Sequence, residues 1–278
     1  MRRYDVRWAR FFVVFGLIIV AGGCFRGGAT ASPPKPPADT SLTAAEYRRL
    51  GVPNIDQPWS GADMSVAAQA IASIARRNPS ELPRYQSKHS GEVFSRLTAD
   101  ENLEQFRDAS RPIEQRLPEG LAYFQGMQGV VNAYLPAFQQ QKTGGVEMIE
   151  LLGAIMKAAV MMDDLASEFM PKLDPRDPSY PVRIEGMRTM KRGFGQMVDG
   201  SLITLTESNA YTVAERKQFI AHLKKALPKI VAGLSPEQRE EIINKLKSHQ
   251  QDPKLQDLQP DLDELAAACT KTQTADER

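Results

Sequence analysis

VEMIELLGAIMKAAVMMDDLASEFM, Val146 to Met170, is the stretch that decides the fold class. Met148, Leu152, Ile155, Ala159, Met162, Ala166 and Phe169 follow one another at steps of 4, 3, 4, 3, 4 and 3 residues, which at 100° per residue makes one apolar seam along an α-helix. Glu150, Lys157, Asp164 and Glu168 fall on the opposite side, and Met161 points away from the seam. Such a seam must be buried against other helices. Each large side chain in it stabilises the fold by about 1.5–3 kcal/mol before conformational entropy is subtracted.

The same period continues on both sides. Upstream, Leu121, Phe124, Gln128, Val131, Leu135 and Phe138 mark a long amphipathic helix starting near Pro112 or Pro118. Lys142-Thr143-Gly144-Gly145 ends it, so 142–145 is the candidate boundary between two halves. Downstream, Pro171, Pro175, Pro178 and Pro181 punctuate a loop. Met187, Met190, Phe194, Met197, Val198 and Leu205 then define another long helix, weakened in propensity by Gly193, Gly195 and Gly200.

Helix starts carry local signatures. Thr43-Ala44-Ala45-Glu46, Thr98-Ala99-Asp100-Glu101 and Thr212-Val213-Ala214-Glu215 read as capping boxes, and Ser235-Pro236-Glu237-Gln238 joins an N-cap serine to a first-turn proline. Val66, Ala70, Ile71 and Ile74 give a helix over 64–77 with Asp63 as its cap, and Pro79 to His89 is rich in turn residues. Phe219, Leu223, Leu227 and Ile230, then Ile242, Ile243 and Leu246, mark two later helices, and a last short one runs from Asp261 to Cys269. Thr270 to Arg278 reads as a disordered polar tail. No stretch alternates with period 2, so the expected fold is all-α: an antiparallel multi-helix bundle over 43–269.

The chain before the bundle has a different character. Arg2, Arg3, Arg7 and Arg10 precede an uncharged run from Phe11 to Gly23, which is 13 residues where a membrane-spanning helix needs about 20. A basic segment, a short apolar segment and small residues are the parts of a cleaved signal peptide, here residues 1–23. Ala21-Gly22-Gly23-Cys24 resembles the end of the signal in bacterial lipoprotein precursors. The resemblance implies that Cys24 is the lipid attachment site, carries a fatty acyl chain such as palmitate, and becomes the first residue of the mature protein. Position 21 is Ala, where that family usually has Leu or another large aliphatic residue, and the resemblance covers only the signal.

Two other outcomes stay open. Ala29-Thr30-Ala31 fits an A-x-A cleavage site that would release a soluble, secreted protein, and an uncleaved short anchor would leave the arginines in the cytoplasm. All three place the bundle outside the cytoplasm; lipidation puts it in the bacterial cell envelope, membrane-anchored and facing the periplasm or the exterior. Residues 24–42, with Pro33-Pro34-Lys35-Pro36-Pro37, form an extended tether between membrane and domain.

Whole-chain charge is nearly balanced, with 35 Lys+Arg and 34 Asp+Glu. Loss of residues 1–23 removes four Arg and one Asp, leaving 31 and 33, a net charge of −2. No nucleic-acid partner is expected from that balance. With Cys24 acylated, Cys269 is unpaired, and its spacing from Leu262, Leu265 and Ala266 buries the thiol; the alternative is an intermolecular disulfide.

No catalytic, metal-binding or cofactor-binding set stands out. His89, His222 and His249 lie in different elements beside polar neighbours and read as surface residues. H-E-x-x-H, C-x-x-C-H, G-x-S-x-G, P-loop and G-x-G-x-x-G patterns are absent. Met148, Met156, Met162, Met187, Met190 and Met197 read as core. Asp163-Asp164 is not a carboxylate pair, because adjacent helical residues diverge by 100°; Asp163 is expected to meet Arg188 or Lys191 as a structural ion pair. The expectation is therefore a non-enzymatic helical lipoprotein, anchored to the membrane through its N-terminal lipid, that binds or scaffolds an envelope protein partner. Alternatives are a binder of a small apolar ligand between the Met-lined helices and an enzyme with a dispersed site.

Overall fold

The computed structural model of the chain describes residues 41–141, 144–206 and 210–276. Among these the chain is all-α, without a strand. In chain order the helices are α1 (Ala44–Arg49), α2 (Gly61–Arg77), α3 (Gly91–Thr98), α4 (Glu101–Arg107), α5 (Ile113–Gln141), α6 (Gly145–Phe169), α7 (Tyr180–Thr206), α8 (Val213–Ala232), α9 (Pro236–Gln250) and α10 (Gln259–Asp276). Short 3₁₀ turns follow α2, α6 and α9.

Helix α6 is the axis. It packs on α5 along one side and on α8 along another, with α3, α4 and α7 completing its surroundings. Beyond this centre α2 lies on α5, α10 on α8, and α9 on α10. One apolar cluster runs from Tyr47 to Cys269 and includes residues on both sides of 142–145. The seam is buried as expected, but α6 buries nearly its whole circumference. Met161, expected to point outward, is 1 % exposed. The cause lies on α5: a Cβ at Gly120 would stand 3.2 Å from the sulfurs of both Met161 and Met162, so glycine at that position brings α5 onto the second face of α6.

Capping explains where several helices begin. Thr43 and Thr212 form the expected boxes with Glu46 and Glu215. Ser235 accepts from the Gln238 amide with Pro236 in the first turn. Elsewhere tertiary structure corrects the local reading. Ser60 is the N-cap of α2, and Asp63 is its reciprocal partner three residues on. The buried face of α2 is Met64, Ala67, Ala68, Ile71 and Ile74, whereas Val66 is 48 % exposed. The expected box at Thr98 does not form, because Thr98 is the last residue of α3 and its hydroxyl donates to the Phe94 carbonyl. Helix α3 itself, two turns long with Val93, Phe94 and Leu97 buried, is too short for its period to register in the sequence.

Pro181 falls within the first turn of α7, not in the loop, since no helical hydrogen bond needs its missing N–H there. Helix α10 runs to Asp276, so most of the expected disordered tail after Cys269 is helical; Thr270 continues it by donating to the Ala266 carbonyl. At the other end Ser41 and Leu42, read as tether, already pack on the fold, with Ser41 9 % exposed. Cys24 and the rest of residues 1–40 lie outside the described residues.

Helices α2 and α5 cross at small residues: a Cβ at Gly126 would lie 2.7 Å from Met64 Cγ and 2.8 Å from its carbonyl carbon, whereas one at Gly129 would lie 3.1 Å from the Ala68 methyl. Gly126→Ala should therefore push backbone against backbone and destabilise by about 1–3 kcal/mol. Gly129→Ala should cost less, and chemical denaturation of the two variants measures the difference.

Candidate functional site

Five charged residues of α6 meet a different neighbour each. Glu147, 6 % exposed, accepts from the Tyr85 amide at 3.0 Å and so holds the loop before α3. Lys157 Nζ donates to Asp100 Oδ1 at 2.6 Å at the start of α4. Asp163 pairs with Lys191 Nζ at 3.2 Å on α7, a contact of charges set too obliquely for a hydrogen bond. Of the two expected partners Lys191 is the one that meets it; Arg188 faces Glu185. Glu168 accepts both 2.7 and 2.8 Å bonds from Arg116 Nη2 on α5, and Asp164 is exposed.

Glu150 makes the most concentrated polar contact. Gln218 Nε2 donates to its carboxylate, and His222 Nε2 stands 3.2 Å from the same oxygen, Oε1. His222 was expected at the surface, but its side chain is 15 % exposed and that of Glu150 17 %. The imidazole fits there because residue 153 is glycine: a Cβ at Gly153 would lie 2.6 Å from His222 Cγ. The His222 hydrogen bond holds the Glu150 carboxyl below the usual range against the opposing effect of burial. No nucleophile, second histidine or cavity wall joins this pair in the described geometry, so its visible work is to tie α8 to α6.

Neither of the other histidines joins a site. His89 is exposed, and His249 is part-buried with its pKa lowered by that burial. Among the described residues no three His, Cys, Asp or Glu side chains come together as metal ligands. Cys269 is fully buried, and burial pushes its thiol up to about 12.

The candidate site is a surface groove. Its space, about 850 Å³, opens between Ile55–Asp56, Gln86–Ser87, the outer face of α3 and the start of α4, with Lys157 at one wall. Arg96 on α3 donates from Nε to the Ile55 carbonyl at 2.9 Å, while its Nη1 is buried without an acceptor among the described residues. Asp100 is engaged by Lys157, which leaves the carboxylates of Asp56, Glu92 and Glu101 without a side-chain partner among the described residues. A second hollow, about 550 Å³, lies wholly on α9 and includes Glu237, Glu240 and Glu241. By contrast, the space beside Pro79, Leu82, Tyr134 and Phe138 measures about 20 Å³, room for about one water.

Sequence reading did not single out the groove, because its carboxylates come from a loop and the first turns of two short helices. It also missed the buried arginines Arg116 and Arg216, whose acceptors lie on other elements. Comparison of the chain with protein-family models, curated proteins and solved structures returns no match.

Because the Glu150 carboxyl is held low, the stability it contributes is present above its unfolded pKa and is lost as pH falls through the folded value. Glu150→Gln should therefore lower stability at neutral pH by about 1–2 kcal/mol. It should also flatten the acid side of a stability-versus-pH curve below about pH 4.5, measured by denaturant midpoints. Cys269 should fail to react with a thiol reagent in the native protein and react once it is unfolded.

Proposed function

We propose that this chain is an exported protein, lipid-anchored at Cys24, whose helical bundle binds another component of the cell envelope without catalysing a reaction. The observation that carries the reading is the order of segments: the arginines, the short apolar run ending in Ala21-Gly22-Gly23-Cys24, the proline-rich spacer, and a folded domain that starts directly after it at Ser41. Among the described residues no helix is long and apolar enough to cross a membrane.

The interior supports binding at the surface over capture of an apolar ligand. Met148, Met156, Met162, Met187, Met190 and Met197 are all buried in the one apolar cluster. The larger described hollows are open and lined mainly by charged and polar residues, and the ion pairs Lys157–Asp100, Lys191–Asp163 and His222–Glu150 engage charges of α6. A partner of such a surface is a macromolecule more readily than a buried small molecule.

Cys24→Ala should abolish incorporation of labelled palmitate and move the protein from the membrane to the soluble fraction. Retention of the variant in the membrane overturns the lipid assignment, and a mature N-terminus near Ser32 in the wild type replaces it with release after Ala31.

A further inference from the structure

We propose that the outer face shared by α2 and α5 joins two copies of this chain about a two-fold axis. It is a face without charge. Residues 64–75 of α2 and 120–141 of α5 contain no Asp, Glu, Lys or Arg, whereas α7, α8 and α9 carry six each. Burial accounts for only part of that difference, because both stretches reach solvent. Val66 is 48 % exposed, and Gln69, Ser73, Asn132 and Pro136 are exposed as well.

The two stretches form one surface. Ser65 Oγ donates to the Ala122 carbonyl at 3.4 Å, and a Cβ at Gly129 would lie 3.1 Å from the Ala68 methyl, so the helices touch along a close seam. At helical spacing Ser65, Gln69 and Ala72 border that seam from α2, and Gln125, Asn132 and Pro136 from α5. Among the described residues the side-chain amides of Gln69, Gln125 and Asn132 have no hydrogen-bond partner within the chain.

The chemistry of the face selects a second copy as its occupant. A side-chain amide holds both donors and an acceptor, so it pairs with its own kind. A two-fold axis sets the same patch against itself, which opposes like charges wherever a patch is charged. This one brings none together and desolvates none. A strongly charged partner would find no counter-charge here, and a lipid surface would leave the amides unbonded. Depletion of charge is also what marks the buried centre of protein interfaces. From Ala122 to Gln139 helix α5 rises about 25 Å, and two helices side by side are about 20 Å wide, which gives on the order of 500 Å² in plan. A standard interface buries about 800 Å² per partner, so the dimer is a weak one with a dissociation constant in the micromolar range.

Sedimentation equilibrium of the full chain in a neutral, density-matched detergent tests this over about 1–100 µM. The protein mass should rise with concentration towards that of two copies. Gln69→Glu with Asn132→Asp, and separately Gln69→Lys with Asn132→Lys, should each weaken association at least tenfold by setting like charges face to face. An equimolar mixture of the two double variants should recover it, since the facing charges are then opposite. Lys217→Glu with Lys225→Glu, exposed on α8, should leave association unchanged. All positions are on the surface, and far-UV circular dichroism melts should match the wild type. A monomer at every concentration, wild-type association by the acidic variant, or a mixture that does not recover overturns the proposal. Cys24→Ala should dimerise like the wild type; loss of association in that variant assigns it to the N-terminal segment and also overturns the proposal.

Discussion

A central helix buried on nearly every side can leave few of its charges to solvent, and that constraint organises the molecule. Helix α6 carries Glu147, Glu150, Lys157, Asp163 and Glu168 among its apolar residues. Burial of each without a partner would cost more than any single apolar contact returns. The fold answers by giving each a different neighbour: the loop before α3, α8, α4, α7 and α5 in turn. The apolar seam supplies non-directional driving force, which tolerates sliding and rotation of one helix on another. The charges remove that freedom, because a shift of one residue on α6 turns a partnered side chain by 100° away from its mate.

Arginines finish the same task at the helix ends. Arg116, 3 % exposed, donates to the Phe106 carbonyl at the end of α4 as well as to the Arg111 carbonyl and Glu168. Arg216, 6 % exposed, reaches the Leu205 carbonyl at the end of α7, and Arg239 the Ala232 carbonyl at the end of α8. The last carbonyls of a helix lack internal partners and carry the negative end of its dipole, so a guanidinium serves both needs. In the α7–α8 and α8–α9 turns the arginine comes from the first turns of the following helix, which fixes how closely the next helix follows the last.

What could be read from the sequence was what is local or periodic. Thr43–Glu46 and Thr212–Glu215 announce helix starts within four residues, and the α6 seam announces its own burial. What could not be read depends on a second element. Met161 is buried because Gly120 lies on another helix, and His222 because Gly153 does. Thr98 has the letters of a capping box but closes one helix instead of opening the next, since α3 is held by Phe94 and Leu97 in the core. The groove is the extreme case: its walls are separated in sequence by the length of α2 and more, and no period or motif joins Asp56 to Glu101.

The first described residues are fastened to the fold by side-chain hydrogen bonds. Ser41 bonds Ser87, whose hydroxyl also accepts from the His89 and Ser90 amides, and the fully buried Ser90 accepts from the Arg84 amide. A few residues on, Tyr47 donates to the Glu81 carbonyl, and the Trp59 amide to the buried Asn102, which itself donates to the Arg96 carbonyl. Most of these bonds are part-buried, and the one between the Trp59 amide and Asn102 is buried. Buried networks resist deformation more than exposed ones, because breaking one bond leaves a desolvated group unpaired. The buried Asn102 is the clearest case: its loss would strand the Trp59 amide and the Arg96 carbonyl together, so it fixes the loop before α2 to α3 and α4.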